Sequence, residues 1–171
     1  MITKIKSLRE LFEIELRYAY DGEQKLAEKG IPSMIKAASS AELRTALQHH
    51  LEETRRQIQR LETVFSTCGF KASKKDNDVI DEMMSAVKDS VSNIDASLLR
   101  DAALIVNGNQ VGHYEMAVYG SLIAFARQLG LSEAITSLQE TLDEGKAADA
   151  KLTEIGESSL NAKAARAHAA D

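Results

Sequence analysis

The sequence predicts an all-α protein, a four-helix bundle assembled from two helical hairpins. Three observations support this prediction. The chain has one Pro, no Trp and nine Gly in 171 residues, and it is rich in Ala, Leu, Glu, Lys and Gln, which favour helices. Long segments carry apolar residues at the three- and four-residue spacing of amphipathic helices. The second half of the chain also repeats the pattern of the first.

The internal repeat becomes visible when the sequence is shifted by 91 positions. Seven residues then match: Glu42, Thr45, Leu47, Gln48, Leu51, Glu53 and Leu61 fall on Glu133, Thr136, Leu138, Gln139, Leu142, Glu144 and Leu152. One further residue of offset places Glu23 on Glu115. Unrelated helices would share about one or two residues over such a stretch, so the repeat predicts two equivalent hairpins, each with two carboxylates.

The first helix, helix A, is predicted to begin at a capping box formed by Ser7 and Glu10. It runs to about Lys29, where Gly30 and Pro32 are expected to stop it. A short helical turn over 32–37 then fills the crossing to the next helix. The inward positions of helix A are Leu8, Phe12, Glu15, Leu16, Ala19, Glu23 and Leu26.

The second helix, helix B, is predicted to open with another capping box, Ser39 with Glu42, and to run through Cys68 to a stop at Gly69. Its inward positions are Leu43, Leu47, His50, Leu51, Thr54, Ile58, Leu61 and Phe65. A polar linker over 70–77 and a small amphipathic helix over about 78–91 follow. This connection is long enough to cross the whole bundle, as in ferritin-like folds with one long crossover.

The second hairpin is predicted from helix C, about 96–129, and helix D, which Ser132 caps after the stop at Gly130. The inward positions of helix C are Ile105, Gly112, Glu115, Met116, Tyr119, Ile123 and Ala126. Those of helix D are Leu138, Leu142, Gly145, Asp149, Leu152 and Ile155. We therefore expect one domain over 1–157. The Ala-rich segment 158–171 lacks apolar anchors and is expected to be a mobile tail or a partly formed helix.

Charge and hydropathy exclude several classes of partner. The net charge of −5 provides no basic surface for nucleic acid. The first 16 residues carry too many charges for a signal peptide, and no apolar run reaches the roughly 18 residues of a membrane span. A single cysteine, Cys68, excludes an internal disulfide and suits a reducing compartment. These features predict a soluble, cytoplasmic protein.

Inward carboxylates are the strongest chemical signal, because burying an unpaired charge costs several kcal/mol. Glu23 and Glu115 occupy inward positions of helices that the repeat makes equivalent. Glu53 and Glu144 lie nearer the edges of their stripes, and His50 precedes Glu53 by one helical turn. Together these five side chains could surround one or two cations, and their oxygen and nitrogen atoms suit iron or manganese better than a soft metal.

Each of these residues also has a plainer interpretation. Glu53 and Glu144 alone favour solvated helix edges. His50 is equally typical of a core histidine bonded to a neighbour, and Glu23 with Glu115 can be buried against Lys or Arg. Other residues are interpreted as structural. Cys68 is expected to be a buried thiol, and Tyr114, Tyr119 and the methionines are expected to fill the core.

Three segments make the chain similar to a known family. They are HLEETRRQIQRLE at 50–62, RDAALIVNGNQVGHYEMAVYGSLIAFARQLG at 100–130 and ETLDEGKAADAKLTE at 140–154. Over essentially its whole length the chain resembles the YciF-type bacterial stress proteins, which include YciE and form a branch of the ferritin-like superfamily. The resemblance implies a rubrerythrin-like helical bundle, usually an antiparallel homodimer, with a di-iron or other di-metal site. It implies no particular reaction.

The chain departs from the family pattern within the expected site. The resemblance implies Glu at positions 112 and 145, where this sequence has Gly112 and Gly145. Helix B also lacks the Glu-x-x-His motif of di-iron bundles, since its order is His50-x-x-Glu53. Asp149, in the central register of helix D, is a further candidate ligand. His113 lies away from the core axis, so a direct role in binding metal is not expected for it.

The sequence thus predicts an iron-type site with the metal ligands Glu23, His50, Glu53, Glu115, Glu144 and Asp149. The alternative is a metal-free dimeric helical module that acts in a stress response through partner binding, which the two glycines favour. Whether the protein is an enzyme is left open. Homodimerisation is expected from the resemblance and from five apolar residues of the small helix: Val79, Ile80, Met83, Met84 and Val87.

Overall fold

The structure, a computed structural model, describes residues 4–168. Within this range the chain forms α-helices and no strand: α1 Leu8–Lys25, α2 Ile31–Ala37, α3 Ala41–Thr67, α4 Asp78–Asn93, α5 Ser97–Gln128, α6 Ser132–Ile155 and α7 Asn161–His168. Two five-residue π-helical turns, Leu26–Gly30 and Gly156–Leu160, join α1 to α2 and α6 to α7. The four long helices form the predicted bundle.

Contacts between helix ends define the topology of the bundle. Arg9, at the start of α1, donates a hydrogen bond to the carbonyl of Cys68 at the end of α3 (2.5 Å), so these helices are antiparallel. Asn109 of α5 likewise donates to Thr153 near the end of α6 (3.0 Å). Around the bundle the order is α1, α3, α6, α5. The two predicted hairpins and the long crossover between them are confirmed.

The first capping box is confirmed in part. The Ser7 hydroxyl accepts a hydrogen bond from the Glu10 N–H at 3.1 Å, which satisfies one free donor of the first turn of α1. The Glu10 carboxylate accepts from the Lys6 N–H at 2.6 Å, one residue before the position that a capping box requires. The helix therefore starts where the sequence predicts, with a different second bond.

The second capping box, Ser39 with Glu42, is wrong. Ser40 caps α3, and its hydroxyl accepts from the Leu43 N–H at 3.3 Å. The N–H groups of Ser39 and Ser40 donate to the two oxygens of Asp101, at 2.8 and 2.7 Å. Because Asp101 belongs to α5 and is fully buried, a carboxylate from the second hairpin fixes the loop that joins α2 to α3.

The predicted helix stops have mixed outcomes. Gly69 and Gly130 adopt positive φ angles of 73° and 69°, which confirms both as helix ends. The stop at Gly30 and Pro32 is wrong, because the chain continues from α1 through a π-helical turn into α2. Pro32 lies in the first turn of α2, directly after the π-helical turn. Ser132 makes no capping bond, although α6 begins there.

The crossover is fastened to the bundle by a buried polar cluster. Asp21 of α1 is 1% exposed and accepts from the Asn77 N–H at 2.8 Å. The Asn77 side-chain amide donates to the Tyr18 carbonyl and to the Tyr114 hydroxyl, at 3.1 and 3.0 Å. Tyr114 therefore does more than fill the core. The cluster sets the point at which α4 begins, since Asn77 is also its N-cap.

Helix α4 uses most of its apolar residues within its own chain. Ile80 and Val87 are 1% and 4% exposed, and Met83 and Met84 pack against the same core. Val79 alone among the five is largely exposed, at 48%. The apolar excess that supported a dimer interface on this helix is therefore mostly absorbed by the bundle, and homodimerisation stays a prediction.

Two apolar clusters form the core, one toward each end of the bundle. The packed end is built from fully buried side chains that include Phe12, Leu16, Leu61, Phe65, Leu122 and Leu138. The cavity end includes Leu26, Ile31, Met34, Leu47, Val87 and Leu152, around an internal cavity. The prediction for Leu8 is wrong, since it is 36% exposed.

The segment after α6 is anchored to the cavity end. Leu160 is 3% exposed within that cluster, so the predicted lack of apolar anchors beyond 157 is wrong. Helix α7 then packs on α5. Residues 1–3 and 169–171, which belong to the predicted domain and tail, lie outside the described residues. From 4 to 168, no helix is both long and apolar enough to cross a membrane.

Candidate functional site

Glu23 lies at the centre of the bundle. It is 2% exposed, and the Tyr119 hydroxyl donates to its Oε1 at 2.5 Å. Its Oε2 is buried and has no hydrogen-bond partner. The interpretation of Tyr119 as core filling missed this bond. The available signal was the spacing, because Tyr119 follows the inward Glu115 by one helical turn on α5.

Glu115 and Glu23 form an acidic pair in which each carboxylate affects the pKa of the other or of its neighbours, as their equivalent inward registers suggested. Burial raises the pKa of Glu23 to about 7, although the Tyr119 hydrogen bond and the nearby His50 oppose the shift. Burial, and then the charge of Glu23, raise the pKa of Glu115 well above its usual range. Among the described residues, no Lys or Arg forms a salt bridge with either carboxylate. The pair therefore retains protons near neutral pH.

A small void touches both acids. Its volume is about 10 Å³, close to that needed for one water molecule or ion. Its polar lining consists of Glu23, His50, Gln57, Glu115, Tyr119 and Thr141. His50 is partly buried, and its Nδ1 is a second buried atom with no hydrogen-bond partner. An unpartnered carboxylate oxygen and an unpartnered imidazole nitrogen thus belong to residues that border one void.

Glu53 and Glu144, which the repeat makes equivalent, have different surroundings. Glu53 is 8% exposed, and its oxygens lie 3.5 and 3.7 Å from the Nδ1 atoms of His49 and His50. Glu144 accepts two hydrogen bonds from Arg60, each of 2.7 Å, and a third from Gln57. Neither residue is the solvated edge group of the plainer interpretation.

The hydrogen bonds from Arg60 determine the charge state of Glu144. Burial by itself would raise the pKa of Glu144, but the hydrogen bonds from Arg60 and Gln57 outweigh it and lower that pKa. Glu144 is therefore an ionised carboxylate that an internal cation already neutralises. Arg60 was missed at the sequence level because no local pattern shows which carboxylate a long basic side chain reaches across the bundle.

The six predicted ligands do not converge on a single point. Glu23, His50 and Glu115 border the void, and Glu144 is held by Arg60. Asp149 faces His113, with 3.0 Å between Oδ1 and Nδ1. Within the described part of the chain, no group of three or more His, Cys, Asp or Glu side chains is arranged to hold a metal ion. A dinuclear site of the predicted composition therefore does not fit this arrangement.

A larger cavity of about 720 Å³ adjoins the void, and His50, Glu115 and Gly145 line both. Gly112 and Gly145, where this sequence departs from the family pattern, both line this cavity. A Cβ atom at Gly145 would meet nothing within 4 Å, whereas one at Gly112 would lie 3.5 Å from Asp149 Oδ1. The resemblance implies acidic side chains at these two positions. The glycines leave open volume there instead, mainly at position 145.

Comparisons with known proteins agree with this fold. The family model for a domain of unknown function, DUF892, matches residues 7–165. Protein YciF of Escherichia coli K12 is 34% identical over 161 residues, which is 94% of this chain and 96% of YciF. This result confirms the resemblance that the sequence motifs indicated.

Solved structures extend the comparison. YcfI from Rhodopseudomonas palustris has a TM-score of 0.87 and 37% identity, covering 90% of this chain and 97% of its own. The E. coli stress protein YciF has a TM-score of 0.88 and 32% identity, covering 92% and 99%. A Xanthomonas campestris protein shares the fold alone, with a TM-score of 0.72 and 20% identity over 95% and 99% of the two chains. The chain belongs to the DUF892 family.

Proposed function

We propose that the protein acts in a bacterial stress response and binds one divalent cation of the iron type between Glu23, His50 and Glu115. The stress role follows from the similarity to YciF, which is described as a stress protein. One observation carries the binding proposal: the buried Glu23 Oε2 and His50 Nδ1 have no partner, and both residues border a void of ionic size. Oxygen and imidazole ligands suit iron or manganese.

A cation in this void would resolve an electrostatic conflict. Glu23 is buried and Glu115 is partly buried. Two neighbouring carboxylates in such surroundings are stabilised when protons or a positive ion neutralise them. In the metal-free chain, protons do so, as the raised pKa values of Glu23 and Glu115 indicate. A divalent ion would supply the same neutralisation and would also engage His50 Nδ1, which has no hydrogen-bond partner and lies 3.7 Å from Glu53 Oε2. Side-chain adjustment is required, because no three ligands are already in binding position among the described residues.

The proposal specifies one ion instead of two. Both oxygens of Glu144 accept hydrogen bonds from Arg60, so Arg60 occupies the place of a second cation. Glu53 lies 3.5 Å from His49 and lines the larger cavity instead of the void, and Asp149 lies beside His113. Any metal is therefore held asymmetrically, mainly by α1 and α5 with His50 of α3.

Elemental analysis of protein purified without chelator tests the proposal. We expect about one equivalent of metal per chain, and loss of that metal in Glu23→Gln and Glu115→Gln variants that keep their helical circular dichroism. Glu52→Gln is the matched control, because Glu52 neighbours Glu53 in sequence and is exposed. Less than about a tenth of an equivalent in the wild type would contradict metal binding. Two equivalents would contradict the single-ion assignment.

A second candidate is a metal-free helical module that acts through protein partners, as a homodimer. The Arg60–Glu144 pair favours it, since this pair stabilises the bundle interior without metal. Thermal melting with and without Fe(II) under anaerobic conditions separates the candidates, because an ion that binds only the folded chain must raise Tm. Sedimentation at micromolar concentration tests the homodimer, and a monomer there would contradict this second candidate.

A further inference from the structure

The cavity of about 720 Å³ at the cavity end has the size of a small-molecule site. Its walls are mainly aliphatic and thioether side chains from six helical segments, among them Leu26, Ile31, Met34, Leu47, Val87, Val111 and Leu152. Such a volume inside a bundle leaves many apolar atoms without packing partners, which close-packed protein interiors normally avoid. An apolar occupant would restore those contacts.

One end of the cavity is polar and acidic. Glu53, Glu115 and Asp149 line it together with His50. Lys151, the one Lys or Arg among the described lining residues, lies within 4 Å of Glu42 and Glu154, at 3.7 and 2.9 Å. Glu53 and Asp149 have histidine neighbours. Among the described residues, no Lys or Arg forms a salt bridge with these two acids or with Glu115. This end is therefore acidic, and it offers acceptors to a cationic donor and none of the Lys or Arg partners that an anionic head group would need.

The cavity has a route to solvent between α3 and α6. Its exposed lining residues all belong to these two helices: Ala41, Glu42, Thr45, His49, Ala147 and Lys151. The contact that bridges the helices there, Lys151 to Glu42, is 3.7 Å long and about half exposed on each side. Exposed pairs of this kind contribute little stability, so they do not seal the opening.

We propose that this cavity binds a small amphiphile with an aliphatic chain and a protonated amine head group. The chain lies among the apolar walls, and the amine lies near Glu53, Glu115 and Asp149. The proposed amine site shares His50 and Glu115 with the proposed cation site, so an amine and a metal ion would compete for it. It is tested in chelator-treated protein, so the result does not depend on metal binding.

Methyl NMR of methionine-labelled protein with decylamine, used below its micelle concentration, tests the proposal directly. Met34 and Met84 line the cavity, whereas the adjacent Met83 does not. We expect saturable shifts of the Met34 and Met84 methyl signals with one amine per chain, and little change at Met83. Decanol is expected to bind more weakly, and decanoate weakest, because the acidic end repels a carboxylate.

Two glycines provide a matched pair of variants. Gly145 lines the cavity and Gly120 does not, yet a Cβ at either position meets nothing within 4 Å. Gly145→Leu should place its side chain in the cavity and weaken decylamine binding by about tenfold or more. Gly120→Leu should leave the affinity within about twofold. If Gly145→Leu does not fold, Gly145→Ala provides a smaller change in the same direction.

Several results would overturn the proposal. They are absence of saturable binding, equal shifts at Met83, decanoate binding as tightly as decylamine, or equal effects of the two glycine substitutions. A further result would assign the cavity to another occupant: if decylamine does not bind and Gly145→Leu changes the sedimentation of the protein, a second copy of the chain covers the opening.

Discussion

The two ends of the bundle are built by the same four helices and yet differ in kind. At the packed end, Phe12, Phe65 and Leu122 are fully buried and fill the space between the helices. At the cavity end, Gly112 and Gly145 face an open volume that is bordered by carboxylates. The side chains of the packed end cover one another, whereas the cavity end leaves apolar atoms without packing partners. A binding site requires such incomplete packing.

The internal repeat allows this comparison to be made at equivalent positions. Leu61 and Leu152 correspond in the repeat, but Leu61 is fully buried at the packed end and Leu152 is 7% exposed at the cavity wall. Glu53 and Glu144 also correspond, and only Glu144 has an arginine partner. Equivalent registers therefore preserved the helices while the two hairpins acquired different surroundings.

The largest expected effect is a difference between two equivalent leucines. Leu61→Ala should destabilise the protein by about 4 kcal/mol, because it opens a new hole in a filled core. Leu152→Ala should cost about 2 kcal/mol, since it enlarges a cavity that already exists. Chemical denaturation of both variants measures this difference. Equal losses would show that the cavity end is as well packed as the other.

The next effect concerns pH. The pKa of Glu23 is raised to about 7 in the folded chain from an ordinary value of 4.5, so the folded state holds an extra proton between these values. Stability from this group is complete below pH 4.5 and falls as pH rises through about 7. The loss is about 3 kcal/mol at most. We expect Glu23→Gln to flatten this dependence in metal-free protein.

The comparison for this pH effect is Glu62→Gln, at an exposed carboxylate that accepts a hydrogen bond from Tyr20. The quantity to compare is the difference in unfolding free energy between each variant and the wild type, from pH 4 to 8. If Glu23→Gln follows the wild-type curve over the whole interval, Glu23 does not retain a proton in the folded protein.

A smaller loss is expected at the boundary between the two ends, where Arg60 holds Glu144. Arg60→Met should cost about 2 kcal/mol at neutral pH, because a partly buried carboxylate loses its cation. The double variant Arg60→Met with Glu144→Gln should recover most of that loss. Arg55→Met, at an exposed position on the same helix, serves as control. Failure of the double variant to recover stability would mean that Arg60 acts through packing and not through charge.

The smallest effect uses the two open glycines. Gly145→Ala and Gly120→Ala should each stabilise the protein by about 0.5–1 kcal/mol, since both lie inside helices with free space for a methyl group. Thermal melting measures both changes. A clear loss at Gly145 alone would mean that the cavity is narrower than the structure indicates.

Much of the fold follows from the sequence because helix signals are local. The stripe of helix B predicted the burial of Leu43, Leu47 and Leu61, and all three are at most 2% exposed. The predicted ends at Gly69 and Gly130 hold because a left-handed residue is needed there. The two errors at helix ends have different causes. At Ser39, the backbone N–H bonds to Asp101, which is distant in sequence. At Pro32, the chain passes through a π-helical turn that has no clear sequence pattern.

The candidate site divides in the same way. Sequence alone determined that Glu23 and Glu115 point inward, because a 3.6-residue period fixes the face on which a side chain lies. Only the tertiary structure decided that Tyr119 bonds Glu23, that Arg60 neutralises Glu144 and that glycines leave a cavity. Those outcomes depend on which side chains meet across separate helices and on how completely they fill the space between them, and neither property is encoded in the spacing along a single helix.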